Sequence, residues 1–238
     1  MSQGTLAAAL DAFRAEWIAA APVGRAALYD AKVRELQDSG ILDRALGVGD
    51  LAPDFALSEA DGRDFRLSRA LRSGPVVLTF YRGGWCPYCN IQLRAYQRFL
   101  PEITRLGARL AAVSPQLPGK SLATAEANGL GFTVASDGGN RIAKAFGLAY
   151  PLAEELRRVL AENGKALPDV NGDDSWELPV PATFVIAPDR RIHLSYVEAD
   201  YRKRLEPDEI VAALADLAAA RRQHRAKLAA PATAGGIA

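Results

Sequence analysis

The sequence predicts an α/β fold in which helices flank a central mixed β-sheet, with an N-terminal helical extension and a helical insertion added to it. Strand-like and helix-like segments alternate between residues 76 and 146, which is typical of βαβ units with some parallel pairing. Residues 76–81 form an unbroken run of apolar, β-branched and aromatic side chains, as in a parallel strand that is covered on both faces. Two apolar runs on either side of Pro188-Asp189 predict a closing antiparallel hairpin.

Residues 1–46 form the predicted N-terminal helical extension. Apolar side chains recur at offsets of four, three and four along its first helix, which places them on one face: Leu6, Leu10, Phe13 and Trp17. A second helix follows Pro22 and ends near Ser39-Gly40. We expect this apolar face either to pack on the core or to form the surface of a homodimer.

The main domain is predicted to span residues 47–220. It opens with a β-hairpin that turns at Asp61-Gly62. The alternating part then supplies a strand at 76–81, a helix after the cysteines, a strand at 108–113, a helix at 120–128, a strand at 132–135 and a helix at 140–146.

The end of the domain contains the insertion and the closing elements. Residues 148–178 interrupt the alternation with a helix over 151–162 and a polar stretch, so we interpret them as an insertion. The closing hairpin joins 182–187 to 192–197, and a last helix begins at Pro207. Residues 221–238 are rich in Ala, Gly, Lys and Arg and are expected to form a disordered tail.

The composition excludes several classes of protein. Hydrophobic residues make up 49% and charged residues 24% of the 238 residues, which is ordinary for a globular chain. The 29 Lys and Arg residues balance 28 Asp and Glu residues, so no basic excess indicates nucleic acid or an anionic membrane as a partner. No apolar run approaches the roughly 20 residues that a membrane helix needs. Asp11, Arg14 and Glu16 interrupt the first apolar segment, so we expect no secretory signal and a cytoplasmic location.

Two cysteines, Cys86 and Cys89, lie three positions apart where a predicted buried strand meets a helix. The unpaired N–H groups and the positive dipole end of a helix N-terminus stabilise a thiolate at such a position. The C-x-x-C spacing also lets the two sulfurs form a disulfide, so the pair can cycle between dithiol and disulfide. A short-range pair in an otherwise cysteine-free chain is typical of redox or metal chemistry in a reducing compartment.

A metal or haem site is the alternative for these cysteines. Zinc needs two further ligands, and the separation of the only histidines, His193 and His224, does not fit the short spacing of zinc fingers. A c-type haem would require histidine at position 90, which is Asn90. The sequence therefore favours a redox-active Cys86–Cys89 disulfide without a metal or a prosthetic cofactor.

Residues around the pair support thiol chemistry. Pro87 suits the first helical turn, because it has no N–H group to satisfy. Trp85 and Tyr88 are expected to form apolar rims, and Arg82 is expected to favour the thiolate. At the end of the insertion, Glu177 is either a proton-transfer group near the sulfurs or a solvated loop carboxylate.

Three segments carry a family resemblance: Pro53-Asp54-Phe55, the run from Phe80 to Cys89 and the run from Pro181 to Ile186. Together they resemble the peroxiredoxin-like branch of the alkyl hydroperoxide reductase/thiol-specific antioxidant (AhpC/TSA) family, over roughly residues 47–204. The resemblance implies a thioredoxin-like fold and reduction of hydroperoxides by thiols. It also makes Pro181 a candidate cis-proline facing the active site, with backbone groups of Val180 presented to the substrate.

The resemblance allows two assignments of the attacking thiol. Laid on the sequence without gaps, the peroxiredoxin pattern puts Cys86 at the usual threonine, Cys89 at the attacking cysteine and Gln92 where glutamate or glutamine is usual. In the thioredoxin pattern, an exposed Cys86 attacks and a more buried Cys89 resolves the mixed disulfide. We favour Cys86, because the C-x-x-C motif is intact and the threonine is absent. The family's peroxide-binding arginine has no counterpart, since Pro181 lies close to its usual place.

These observations lead to three hypotheses about function. The first is a thiol-dependent peroxidase that reduces hydroperoxides, in which one cysteine becomes a sulfenic acid and the other condenses with it to a disulfide. An external thiol donor of the thioredoxin or glutathione type then resets the pair. The second is a protein disulfide reductase without significant peroxidase activity. The third is a redox-responsive binding module whose insertion or N-terminal helices engage a partner.

Overall fold

The computed structural model describes residues 4–59 and 62–229, with side chains up to residue 223. Its helices are α1 (Leu6–Ala20), α2 (Arg25–Asp38), α3 (Leu67–Leu71), α4 (Pro87–Arg105), α5 (Pro118–Ala127), α6 (Arg141–Ala145), α7 (Glu154–Glu162), α8 (Leu167–Asn171) and α9 (Pro207–Ala229). Its strands are β1 (Ala56–Glu59), β2 (Asp64–Arg66), β3 (Val76–Phe80), β4 (Arg109–Ser114), β5 (Thr133–Ser136), β6 (Ala149–Pro151), β7 (Glu177–Pro179), β8 (Ala182–Ile186) and β9 (Ile192–Val197). None of these described helices combines the length and the apolar character that crossing a membrane requires.

Seven strands form one mixed sheet in the order β2-β1-β5-β4-β3-β8-β9. The inner pairs β3–β4 and β4–β5 are parallel, and the remaining pairs of this sheet are antiparallel. Both predicted hairpins are confirmed, since β1 pairs with β2 and β8 pairs with β9. The central mixed sheet flanked by helices is therefore the one that the alternation of segments predicts.

Strand β3 is buried on both faces of the sheet, and this determines where the cysteines lie. One apolar cluster takes every second residue of the strand: Val76, Leu78 and Phe80. The cluster on the other face contains Val77, both cysteines and apolar residues of α4 and α9. The segment after β3, which carries the two cysteines, therefore begins in the interior of the protein.

The predicted N-terminal helices are confirmed as α1 and α2. Leu6 and Leu10 are buried in the cluster that also holds the cysteines, while the rest of the predicted apolar face is half-buried. The carboxylate of Glu206, just before α9, accepts hydrogen bonds from the N–H groups of Leu6 and Ala7 at 3.0 and 2.7 Å. An acidic group is favourable there, because the first N–H groups of a helix lack acceptors within the helix. The apolar face of the extension thus packs on the main domain.

The insertion contains the predicted helix, α7, but it folds more fully than the sequence indicates. The polar stretch after α7 forms α8 and then β7, which pairs antiparallel with β6 in a separate two-stranded sheet. Its leucines make a third apolar cluster: Leu152, Leu156, Leu160, Leu167 and Leu178. Tyr29 of α2 and Trp85 pack against this cluster. The insertion and the N-terminal extension therefore meet beside the cysteines.

The disordered tail predicted for residues 221–238 is wrong for its first part. Helix α9 continues to Ala229. The reason is local: beyond Leu217 the chain is mostly Ala, Arg, Gln and Lys, which have high helix propensity and extend a helix that is already packed on the core. Residues 230–238 lie outside the described residues.

Gly84 tests how tightly the turn between β3 and α4 packs against α5. A Cβ at this position would lie 2.2 Å from Thr124 Oγ1. We expect Gly84→Ala to lower the free energy of unfolding by about 1–3 kcal/mol, as at other overpacked sites. Gly119→Ala is the matched control, because nothing lies within 4 Å of a Cβ there. Urea unfolding measures the stability of both variants. A Gly84→Ala variant as stable as the unmodified chain would contradict the prediction. Adding Thr124→Ala to Gly84→Ala should recover part of the lost stability.

Candidate functional site

The turn between β3 and α4 sets the position of the cysteines. Gly83 has a φ of 144°, a backbone conformation that residues with a side chain rarely adopt. The N–H of Gly84 donates a hydrogen bond to Gln116 Oε1 at 2.8 Å, which fixes the turn to the chain after β4. Cys86 is then the N-cap residue of α4, and Pro87 is its first helical residue. This is the strand-to-helix junction that the sequence predicts.

Both cysteines are free thiols, and both are buried. Cys86 is only 2% exposed, so the expectation of an exposed Cys86 beside a buried Cys89 is wrong. The N-terminal extension causes this burial of Cys86. Helix α1 packs on α4, and the ring of Phe13 contacts that of Tyr88 edge-to-face at a centroid distance of 5.0 Å.

The two sulfurs have different electrostatic surroundings. Arg204 Nη2 lies 3.4 Å from Cys89 Sγ, and Arg82 Nη1 lies 4.0 Å from Cys86 Sγ. Burial alone would raise the pKa of Cys89. A hydrogen bond from the Cys86 thiol and the charges of Arg204 and Arg82 outweigh that effect and hold the pKa of Cys89 well below its usual range. The pKa of Cys86 is raised well above its usual value, because its thiol bonds to Cys89 and because it is buried. The surroundings therefore favour the thiolate form at Cys89 over Cys86.

A chain of hydrogen bonds connects Arg204 to the sheet. Its Nε donates to Gln92 Oε1 at 2.6 Å, and Gln92 Nε2 donates to Thr79 Oγ1 at 3.2 Å. Thr79 Oγ1 donates in turn to the carbonyl of Ala182 at 3.1 Å. The sequence pattern identifies Gln92 but neither Arg204 nor Thr79. Arg204 lies 115 residues from Cys89 along the chain, so no local motif could signal their contact.

Arg82 is a second buried cation at the site, with an exposed fraction of 3%. Its Cζ lies 4.1 Å from the centroid of the Tyr201 ring and 4.9 Å from that of Trp85, so both rings contact the guanidinium. Its Nε has no hydrogen-bond partner. Within the described part of the chain, neither Arg82 nor Arg204 contacts a carboxylate. Two buried guanidinium groups thus face one thiolate.

A cavity of about 150 Å³, here called the Cys86 cavity, borders Cys86 but not Cys89. Its walls are largely aromatic and include side chains from α1, α2 and the cysteine turn: Phe13, Trp17, Tyr29, Trp85 and Tyr88. Tyr88 is buried, and its ring also contacts the Tyr201 ring at a centroid distance of 5.6 Å. The two aromatic residues predicted as rims, Trp85 and Tyr88, thus line the approach to the first sulfur, and exposed Pro87 lies beside them.

Three predicted site residues are engaged away from the sulfurs. Glu177 forms an ion pair with Lys144, with 2.6 Å between the carboxylate oxygen and Nζ. The N–H of Val180 donates to the carbonyl of Leu148 at 2.9 Å, so it is not free for a substrate. The cis-proline predicted at Pro181 is wrong, because its peptide bond is trans, as are all the others that the structure describes. Strand β8 begins directly after Pro181, and the extended chain needs no tight turn there.

The chemistry available at this site is that of thiols. In the part of the chain that the structure describes, no group of three or more His, Cys, Asp or Glu side chains is arranged to hold a metal ion. The arrangement instead stabilises one thiolate, places a second thiol beside it and adds two cations that attract anionic groups.

Several known proteins are similar to this chain. The model of the AhpC/TSA family matches residues 48–195. The chloroplastic peroxiredoxin Q of Triticum aestivum is 31% identical over 132 residues, which cover 56% of this chain and 60% of that protein. The thiol-disulfide oxidoreductase ResA of Geobacillus thermodenitrificans is 31% identical over 129 residues, which cover 54% of this chain and 71% of that protein.

A solved structure shows the same fold. Peroxidoxin BcpB from Mycobacterium tuberculosis is similar with a TM-score of 0.57 at 24% identity, over 72% of this chain and 97% of that one. This similarity supports the thioredoxin-like arrangement of the central mixed sheet. The family match covers more than half of the chain and includes β3, both cysteines and the start of α4. On this basis the chain belongs to the AhpC/TSA family.

Proposed function

We propose that the protein is a thiol peroxidase that reduces hydroperoxides through a dithiol–disulfide cycle of Cys86 and Cys89. The observation that carries this proposal is the distance of 3.4 Å between Arg204 Nη2 and Cys89 Sγ inside the protein. The thiolate is the nucleophilic form of cysteine, and a charge-assisted hydrogen bond from a guanidinium stabilises it. Membership of the AhpC/TSA family and the similarity to peroxiredoxin Q support the same function.

We assign the attack to Cys89, whereas the intact C-x-x-C motif had favoured Cys86. Cys89 accepts a hydrogen bond from Arg204 at 3.4 Å. Its pKa is lowered by that charge and by a hydrogen bond from the Cys86 thiol, while the pKa of Cys86 is raised by the same bond and by burial. The assignment agrees with the gap-free peroxiredoxin pattern, in which Cys89 takes the attacking position. Gln92 supports it by holding the Nε of Arg204.

The proposed cycle has two steps on the enzyme. First, the Cys89 thiolate attacks the terminal oxygen of the hydroperoxide, so that an S–O bond forms and the O–O bond breaks. The sulfur gives two electrons to the peroxide and becomes a sulfenic acid, and the alkoxide takes up a proton and leaves as an alcohol. The Cys86 sulfur then attacks the sulfenic sulfur, an S–S bond forms, and the hydroxyl leaves as water with the Cys86 proton.

A protein disulfide reductase is the second candidate, which the similarity to ResA and the intact C-x-x-C motif favour. Such an enzyme must present one thiol to a folded protein substrate. The 2% exposure of Cys86 instead favours a small hydroperoxide as the substrate. A redox-responsive binding module is the third candidate, and turnover of either kind of substrate would exclude it.

The disulfide needs two electrons from outside after each turnover. We propose an external thiol donor of the thioredoxin or glutathione type, because thiol–disulfide exchange needs no cofactor beyond the two cysteines. Exchange would begin at Cys86, the sulfur that borders the cavity, and its 2% exposure favours a donor of the glutathione type over a folded protein of the thioredoxin type. A cytoplasmic location and a homodimer stay predictions from the sequence.

Single serine variants test the assignment of Cys89. We expect Cys86→Ser to keep forming a sulfenic acid with hydrogen peroxide. We expect Cys89→Ser to react with hydrogen peroxide at least about tenfold more slowly than Cys86→Ser, because its remaining thiol lacks the Arg204 contact. A factor of about ten in rate corresponds to the free energy of one charge-assisted hydrogen bond. Stopped-flow fluorescence measures the rates, and mass spectrometry after dimedone labelling locates the sulfenic acid.

Two outcomes would contradict parts of this scheme. Sulfenic acid in Cys89→Ser alone would assign the attack to Cys86. Oxidation of the unmodified chain no faster than that of free cysteine would refute the peroxidase, and reduction of a protein disulfide by the same preparation would then support the second candidate.

Arg204→Met tests the source of the thiolate. Removing the cation that faces Cys89 should raise the pKa of its thiol, so the rise of the peroxide reaction rate with pH moves to higher pH. At neutral pH the rate should fall about tenfold or more. Arg98→Met is the matched control, since Arg98 is exposed on the same helix, α4. A pH–rate profile that is the same in Arg204→Met and in the unmodified chain would show that Arg204 does not set the reactivity.

A further inference from the structure

The N-terminal extension forms a large part of the wall of the Cys86 cavity. Helix α1 contributes Phe13 and Trp17, and α2 contributes Tyr29. From the insertion, Leu160 of α7 lines the same cavity. A volume of about 150 Å³ is large enough to hold a ring such as benzene, and aromatic side chains form most of the wall here. The cover over Cys86 thus leaves room for an organic group next to the sulfur.

A second cavity of about 250 Å³ adjoins the first. Tyr29, Arg82 and Tyr201 line both, so these three side chains lie between the two spaces. Val33 of α2 and Leu156 of α7 contribute apolar surface to the second cavity. Taken together, the two cavities reach the volume of small-molecule sites, about 300–1,000 Å³.

Two cations line the Cys86 cavity, Arg82 and Lys165, and of these only Arg82 is buried. The guanidinium is 3% exposed, its Nε has no partner, and no carboxylate among the described residues contacts it. The thiolate of Cys89 is already bonded to the other buried guanidinium, that of Arg204. One of the two buried positive charges is therefore left over, and an unpaired buried charge is costly. A bound anion of single charge would remove this cost.

We propose that the Cys86 cavity binds hydroperoxides that combine an apolar ring or short chain with a carboxylate, an inference that rests on the peroxidase function proposed above. The apolar part lies among the aromatic side chains of α1 and α2. The carboxylate pairs with Arg82 through charge-assisted hydrogen bonds, which guanidinium groups make well with carboxylates. Because the cavity borders Cys86 and not Cys89, the peroxide group must pass the Cys86 side chain to give its terminal oxygen to the Cys89 sulfur. The rest of the molecule then takes up a proton and leaves as the corresponding hydroxy acid.

Ion pairs fasten the extension over the cavity. Asp30 of α2 bonds to Arg202, next to the Tyr201 that lines the cavity, and Arg14 of α1 lies 3.3 Å from the same carboxylate. Lys32 of α2 lies 2.9 Å from the carboxylate of Glu155 on α7.

Equilibrium binding tests the role of the carboxylate without any turnover. Phenylacetate, its neutral analogue 2-phenylethanol, and acetate are titrated into the reduced chain. Trp17 and Trp85 line the cavity, so their fluorescence reports binding. We expect phenylacetate to bind at least about tenfold more tightly than either other compound. A factor of about ten in affinity corresponds to the free energy of one charge-assisted hydrogen bond.

Variants of Arg82 assign the preference to its guanidinium. Arg82→Met should abolish the preference for phenylacetate over 2-phenylethanol, and Arg82→Lys should restore part of it. Arg157→Met is the matched control: Arg157 also lies over a tryptophan, with 5.9 Å between Cζ and the Trp176 centroid, but it does not line the cavity. Equal affinities of the unmodified chain for phenylacetate and 2-phenylethanol would overturn the proposal even if Arg82→Met failed to fold. A preference that survives in folded Arg82→Met would overturn it as well.

Kinetics separates this inference from the proposed function. Stopped-flow oxidation is measured with hydrogen peroxide, cumene hydroperoxide and the para-carboxylate of cumene hydroperoxide. The carboxylate should react at least about tenfold faster than cumene hydroperoxide itself. Rates equal to those of a free thiol with all three would refute the peroxidase. Fast rates without a preference for the carboxylate would refute only the inference about the cavity.

Discussion

The contact between Arg204 and Cys89 is the interaction on which the rest of the site depends. Moving a thiolate out of water is costly unless a cation or several donors compensate it. Arg204 supplies that cation at 3.4 Å from the sulfur. Gln92 holds the guanidinium from α4, and Thr79 holds Gln92 from β3. The strand, the helix and the segment after β9 must therefore keep their relative positions for the thiolate to form.

Local patterns in the sequence predict most of the secondary structure. Strand β3 is recognisable because every residue of 76–81 is apolar, aromatic or β-branched, and α1 because its apolar residues recur at helical spacing. The C-x-x-C motif at the junction follows from the same patterns. Local patterns contain no information about contacts between distant segments, so they missed Arg204 and the burial of Cys86 under α1. The end of α9 was missed for another reason, since Ala and Arg suit a helix and a disordered tail alike.

The N-terminal extension and the insertion act together as one cover over the cysteines. Tyr29 and Trp85 pack against the leucine cluster of the insertion, and the ion pair between Lys32 and Glu155 joins α2 to α7. The family match begins at residue 48, after the extension. The insertion lies inside that match, so the cover combines a part of the chain that the family model includes with one that it does not.

The pairing of two buried guanidinium groups with a single thiolate also affects the oxidised protein. In the disulfide of the proposed cycle, neither sulfur carries a charge, so Arg82 and Arg204 would lose the negative charge near them. Two cations in a medium of low polarity then repel each other without compensation. This disfavours the disulfide relative to the dithiol and raises the reduction potential of the pair. In the proposed cycle, the two cations would therefore favour the return of the pair to the dithiol.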